Sequence, residues 1–228
     1  MFVPLHDDTK LKVIGFQWVT LAIMVANSLI FLWDQFLATD MQHNEALTIF
    51  GLIPLDFVST LRGTGSYGFV REVFTPVTSL FLHGGWLHII GNLAFLLVFA
   101  DNIEDAFGHL GFAFFYLLCG IGGGLMHVLM MPDSPAPLIG ASSAVAGVLG
   151  SYIVLFPKAR VWILVFVPVP LSAFWALLGW LGFQLFSILW AAQGSNVALW
   201  SHVGGFAVGF VLTLLLRRQI SLNTRGRI

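Results

Sequence analysis

Long apolar runs, broken by short clusters of polar and charged residues, dominate this chain. A helix that crosses a bilayer needs about 20 mostly apolar residues. Six segments meet that need: residues 13–33, 84–101, 110–131, 138–156, 171–192 and 197–216. Pro137 and Pro157 bound the fourth segment, and Arg217 and Arg218 close the sixth. Residues 161–170 are also apolar, but Pro168 and Pro170 interrupt them and the stretch is too short to span. It is expected at the membrane interface, leading into the fifth helix. The first segment is longer than a signal-peptide core, and no small-x-small cleavage site follows it, so it reads as a retained helix. The pattern predicts an all-α polytopic membrane protein with one domain over residues 1–228. Residues 1–12 precede a six-helix core at 13–216, and a basic tail follows at 217–228.

Composition agrees with that picture. The chain is 58% hydrophobic and 9% charged, whereas a soluble domain is about a quarter charged. A net charge of −1 offers nothing for a nucleic-acid partner. Cys119 stands alone inside an apolar run, so no intrachain disulfide forms and a packing role is expected. The histidines are scattered and no HExxH pattern occurs, so neither a metal nor a cofactor is expected. Six spans put both termini on one side. Lys10, Lys12, Lys158, Arg160, Arg217, Arg218, Arg225 and Arg227 fall on that side, against Arg62 and Arg71 opposite. The positive-inside rule therefore predicts cytoplasmic termini. A bacterial inner membrane is the expected location, because the chain reads as a minimal core without a transit segment. The apolar external loop at 34–83 is expected to form a partly embedded cap.

Against this background, polar residues inside the spans stand out. They are Ser142 in Gly140-Ala141-Ser142-Ser143, His202 in Ser201-His202-Val203-Gly204-Gly205, and the pair His88 and Asn92. Ionisable groups within a membrane are functional candidates by default, because burying them is costly. In the six-span topology, helices two, four and six all run inward. His88, Ser142 and His202 then lie roughly 6–9 Å below their outer ends, at a rise of 1.5 Å per residue. A shared site explains that common depth.

Taken alone, the small residues at 140–147 read as a helix-packing surface. His202 changes this, since a serine hydroxyl becomes a good nucleophile only beside a base. Gly205 and Gly209, four apart, permit close approach to another small-faced helix. The fourth helix offers Ala146 and Gly150, and such packing would bring Ser142 and His202 together. His88 and Asn92, also four apart, share one helix face. They form either an interhelical polar pair or an oxyanion hole, to which the start of the fourth helix would add a backbone N–H. No carboxylate lies well inside a span, so a Ser–His dyad is the simplest arrangement. His109, Glu104 and Asp105 are placed in an inner loop, with capping or loop ordering expected of the two acids. His127, near the outer end of the third helix, reads as a snorkelling residue.

The motifs His83-Gly84-Gly85-Trp86-Leu87-His88-Ile89-Ile90-Gly91-Asn92, Gly140-Ala141-Ser142 and His202-Val203-Gly204-Gly205 resemble the rhomboid intramembrane serine proteases in order, spacing and topology. The resemblance covers residues 74–210 and implies a six-helix rhomboid-like bundle. It implies Ser142 as nucleophile, His202 as general base, and His88 and Asn92 as oxyanion donors. His83 and Ser143 are possible accessory residues. Transmembrane proteins are the implied substrates and lipids the implied surroundings, with no nucleic acid; the oligomeric state is left open. The loop at 193–196 and the fifth helix are the implied gate. Three positions depart from the family pattern. Ser143 replaces the usual glycine after the nucleophile, Ala146 replaces an aromatic beneath the histidine, and Phe74-Thr75 replaces a Trp-Arg pair. A rhomboid-like protein that binds membrane clients without cutting them is the first alternative. A small transporter is the second, but it would need charged midplane residues or interrupted helices in matching repeats.

Overall fold

A computed structural model describes residues 3–65, 67–164, 166–190 and 199–223. The chain is an all-α polytopic membrane bundle carrying one small sheet. Its helices are α1 (Trp18–Phe36), α2 (Asp40–Phe50), α3 (Pro54–Leu61), α4 (Phe69–Thr78), α5 (Trp86–Phe95), α6 (Asp101–Phe107), α7 (His109–Met130), α8 (Ser142–Leu155), α9 (Ala173–Trp190) and α10 (Leu199–Asn223). A π-helical turn at Leu96–Ala100 joins α5 to α6. Among the described residues, four helical stretches are long and apolar enough to cross a membrane: Trp18–Phe36, Trp86–Phe107, His109–Met130 and Leu199–Ser221. The apolar helices α8 and α9 are shorter, and the parts of the fifth and sixth predicted segments at 191–198 lie outside the described residues.

Helix α8 is the centre of the bundle. Every residue from Ser143 to Tyr152 is buried, as expected for a helix apolar on all sides and enclosed by others. It begins at Ser142, not at Leu138 as the apolar run implied. Leu138 instead exchanges backbone hydrogen bonds with Leu52, at 3.1 and 2.8 Å. Gly140 then turns the chain with φ +113°, a conformation that side chains beyond glycine rarely adopt. An extended segment therefore leads down to the helix, and Ser142 becomes its first residue.

The second span is longer than expected. It runs on past Asp101 through α6, so Glu104 and Asp105 are helical rather than in a loop. Glu104 and Asp105 are buried and are met by the N-terminal segment. Asp105 accepts from the backbone N–H groups of Lys12, Val13 and Ile14 at 2.7–2.9 Å. Glu104 accepts from the N–H groups of Val19 and Thr20 and from the Thr20 hydroxyl, at 2.7–3.0 Å, and also bonds His109 Nδ1. A helix start leaves its first N–H groups without internal partners and favours negative charge. Here Glu104 from a distant helix supplies both at Val19 and Thr20, while Asp105 holds the backbone of residues 12–14 ahead of the helix, so α1 starts at Trp18 and not at Val13.

Residues 161–170 also differ from expectation. Strands β1 (Val3–Asp7), β2 (Arg160–Leu164) and β3 (Pro168–Ser172) form an antiparallel sheet in that order. Asp7 lies opposite Val161, and Leu164 opposite Pro168. Val161 and Ile163 alternate inward, the period-two pattern of a strand. Pro168 and Pro170 sit on an edge strand, where a missing N–H is tolerated. Leu171 belongs to β3, so the fifth helix starts at Ala173. The sheet is tied to the bundle through Asp7, which accepts from Asn102 Nδ2 at 2.9 Å and from the Tyr152 hydroxyl.

The segment between the first two spans folds as α2, α3 and α4. Thr75 stands where the resemblance leads one to expect an arginine, and Arg71, one turn earlier on α4, is the cation that anchors this segment. It donates to the backbone carbonyls of Thr48 and Ile49, pairs with Glu72 at 2.8 Å and covers the Tyr67 ring at 3.7 Å.

Asp105→Ala would strip the acceptor from three backbone N–H groups and is expected to destabilise the fold by about 2–3 kcal/mol, read as a lower unfolding temperature in detergent. Burial raises the Asp7 carboxyl above its ordinary 3.8, outweighing the lowering effect of the Tyr152 and Thr9 hydroxyls. The fold therefore favours protonated Asp7. Its stabilising contribution is complete below the ordinary value and is lost as pH rises through the raised one. Asp7→Asn keeps an acceptor and removes the charge, so its unfolding temperature should fall less than that of the native protein as pH rises above 3.8.

Candidate active site

The site forms where α8 and α10 touch almost backbone to backbone. A Cβ added to Gly205 would lie 1.9 Å from the Ser143 carbonyl oxygen, and one on Gly209 would lie 2.0 Å from that of Gly147. The α8 face in contact includes Ser143, Gly147 and Gly150, with Gly150 as expected. This proximity brings the first residue of α8 beside the fourth of α10. His202 Nε2 lies 2.8 Å from Ser142 Oγ, within range for transfer of the serine proton.

Ser143 points away from that pair. It is buried, and its Oγ donates to the Gly120 carbonyl on α7 at 3.4 Å. Position 143 must stay small, because α7 passes close enough that a Cβ on Gly123 would meet Ser143 Cβ at 2.7 Å.

His202 is held by a residue of the fifth predicted helix that the sequence reading did not single out. Its Nδ1 bonds Gln184 Oε1 on α9 at 3.0 Å. Trp180, one turn earlier on α9, lies 6.1 Å from its ring at an interplanar angle of 38°. Trp180 thus supplies from α9 an aromatic neighbour that Ala146 cannot. A signal was present, since Gln184 is one of only two polar side chains in α9, with Ser187. What the sequence lacked was any indication that α9 faces His202.

His88 and Asn92 enter from α5. The His88 ring lies against Gly140, where a Cβ would meet Nε2 at 2.5 Å. Gly140 therefore has two reasons to be glycine, its left-handed turn and this ring. Asn92 is buried, and its amide donates to the His88 carbonyl at 3.1 Å. A carboxamide has a second N–H to offer. His83 is buried, with its ring edge-on to His88 at a centroid distance of 5.1 Å. The first N–H groups of α8 add donors with no carbonyl earlier in that helix. Ser142, His202, His88 and Gly140 thus converge, with Asn92 one turn deeper on α5.

Comparison with known proteins gives a consistent answer. A family model described as a Rhomboid domain matches residues 70–219, which contain all of these side chains. The chain is 28% identical over 166 residues to RHOMBOID-like protein 6, mitochondrial, of Arabidopsis thaliana, covering 71% of this chain and 51% of that protein. It is 28% identical over 158 residues to Rhomboid-like protease 3 of Toxoplasma gondii, covering 65% and 54%. It is also 28% identical over 169 residues to Rhomboid protein 1, mitochondrial, of Saccharomyces cerevisiae, covering 70% and 46%. The chain spans about half the length of these relatives.

The helix contact yields a paired test. Gly209→Ala places a methyl group against the Gly147 carbonyl and should destabilise the bundle by about 1–3 kcal/mol. A Cβ at Gly179 meets nothing within 4 Å, so Gly179→Ala should be neutral or stabilise by up to about 1 kcal/mol. Unfolding temperatures of the two variants, measured side by side, check the difference.

Proposed function

Because the chain belongs to the rhomboid family, we propose that it is an intramembrane serine endopeptidase acting on transmembrane protein substrates. The observation that carries this reading is the 2.8 Å contact between His202 Nε2 and Ser142 Oγ at the core of an apolar bundle. As the serine oxygen bonds to the scissile carbonyl carbon, His202 takes its proton. Negative charge then develops on the carbonyl oxygen. His88, the second N–H of Asn92 and the backbone N–H groups opening α8 are the donors proposed to meet it. Collapse breaks the C–N bond, and the leaving amine takes the proton from His202. Water, deprotonated by the same ring, attacks the acyl-Ser142 ester, releases the second fragment and restores the hydroxyl.

The proposed orientation keeps both termini cytoplasmic, following the eight cations on that side. The site then opens toward the outer face, and a bacterial inner membrane is the proposed setting. Substrate helices are proposed to reach Ser142 laterally and unwind there. The gate suggested at 193–196 lies outside the described residues. Ser143 in place of glycine leaves one competing reading, a rhomboid-like protein that holds membrane clients uncut.

Cleavage of a single-span substrate in liposomes separates the two. Ser142→Ala and His202→Ala should each lower turnover by about 10³-fold or more, while Ser143→Ala keeps most of it. Substrate that co-purifies with the native protein yet stays intact would instead favour the client-binding reading. Equal cleavage by all variants would remove Ser142 and His202 from the chemistry.

A further inference from the structure

The geometry assigns Gln184 as the positioning residue of His202, so that the base is aligned only while the outer half of α9 is docked. This rests on the proteolytic reading and adds a third member to the pair. The argument begins with the ring itself. Ser142 Oγ and Gln184 Oε1 engage its two nitrogens on opposite sides. An amide oxygen only accepts, so it selects the tautomer carrying its proton on Nδ1. Nε2 is then left with its lone pair toward Ser142, as a general base requires. The other titratable groups bearing on His202 are His88 on α5 and His127 on α7, neither of them a carboxylate.

The second strand of the argument is how α9 is held. In its inner half Ala173, Ala176 and Leu177 are buried. Over residues 178–188, Gln184 is the one buried residue, 7% exposed, while Leu178, Phe183, Leu185 and Phe186 face outward. A buried amide without a partner is costly, and the partner here is the catalytic ring. The bond that aligns the base is therefore also the polar bond that docks this part of α9. A displacement of α9 that parts Gln184 from His202 would leave the ring free to rotate or change tautomer, and would idle the base until the helix returns.

The experiment compares native protein with Gln184→Leu and Gln184→Glu in liposomes, reading kcat, KM and the pH profile. Nitrogen-15 histidine NMR of the same proteins in micelles reports the His202 tautomer without needing turnover. Gln184→Leu should lower kcat by about 10²-fold, a typical share for a positioned base, with KM little changed and the Nε2 resonance showing mixed tautomers. Gln184→Glu should restore much of kcat. Its carboxylate favours the protonated ring, so the acidic limb of the profile should move up by about one pH unit or more. A Gln184→Leu protein with native kcat and a native tautomer signal would overturn the assignment. If Gln184→Leu fails to fold, Gln184→Glu decides, since an unmoved acidic limb and an unmoved histidine spectrum would equally overturn it. Loss of the proteolytic reading looks different, because Ser142→Ala would then cut as the native protein does, whatever Gln184 carries.

Discussion

The close contact of α8 and α10 is the constraint on which the rest of the structure depends. At a side chain's ordinary width, two helices could not bring the Ser143 carbonyl and Gly205, or the Gly147 carbonyl and Gly209, into such proximity. In a membrane, where lipid tails are as apolar as leucine, this kind of backbone approach is a main source of helix association. Its consequence for chemistry is direct. The contact lies within one turn of Ser142 and His202, so the same packing that holds the bundle together sets the 2.8 Å spacing of the pair.

Enclosing α8 so tightly has a second effect. Because protein surrounds it, α8 is held by its neighbours and can be shorter than a helix that crosses a membrane alone. The chain reaches the first turn of α8 through a segment in which Leu138 pairs with Leu52 and the Gly140 N–H donates to the Ser79 carbonyl. Irregular backbone at membrane depth is tolerated only where protein or a cavity supplies its hydrogen bonds. That segment meets the condition, and it brings free N–H groups and a serine hydroxyl to one place.

The two ends of the bundle are built differently. At the end that holds the sheet, Glu104, Asp105, Asp7 and Tyr152 bind segments far apart in the chain, and three strands add backbone pairing. At the end that holds the site, α9 presents mostly apolar surface outward and meets His202 through Trp180 and Gln184. Over residues 178–188 Gln184 is the one buried residue of α9, so the base is touched there by a sparsely packed stretch of helix.

The apolar segments, the lone polar residues at a common depth and the Gly205–Gly209 spacing were legible in the sequence because each is a local property: length, hydrophobicity or periodicity. They were enough to predict the all-α bundle and to single out Ser142, His202, His88 and Asn92. The start of α8, the pairing of β1 with β2, the capping of α1 by Glu104, and the Arg71 anchor were not legible in this way. Each depends on hydrogen bonds between segments tens of residues apart, and such partners leave no mark on the local pattern. Gln184 shows the boundary most clearly. The sequence presented an isolated amide in an apolar helix, but only the rotation of α9 against α10 decided that it would face His202 rather than lipid, because a helix's hydrophobic pattern is blind to one polar residue's partner.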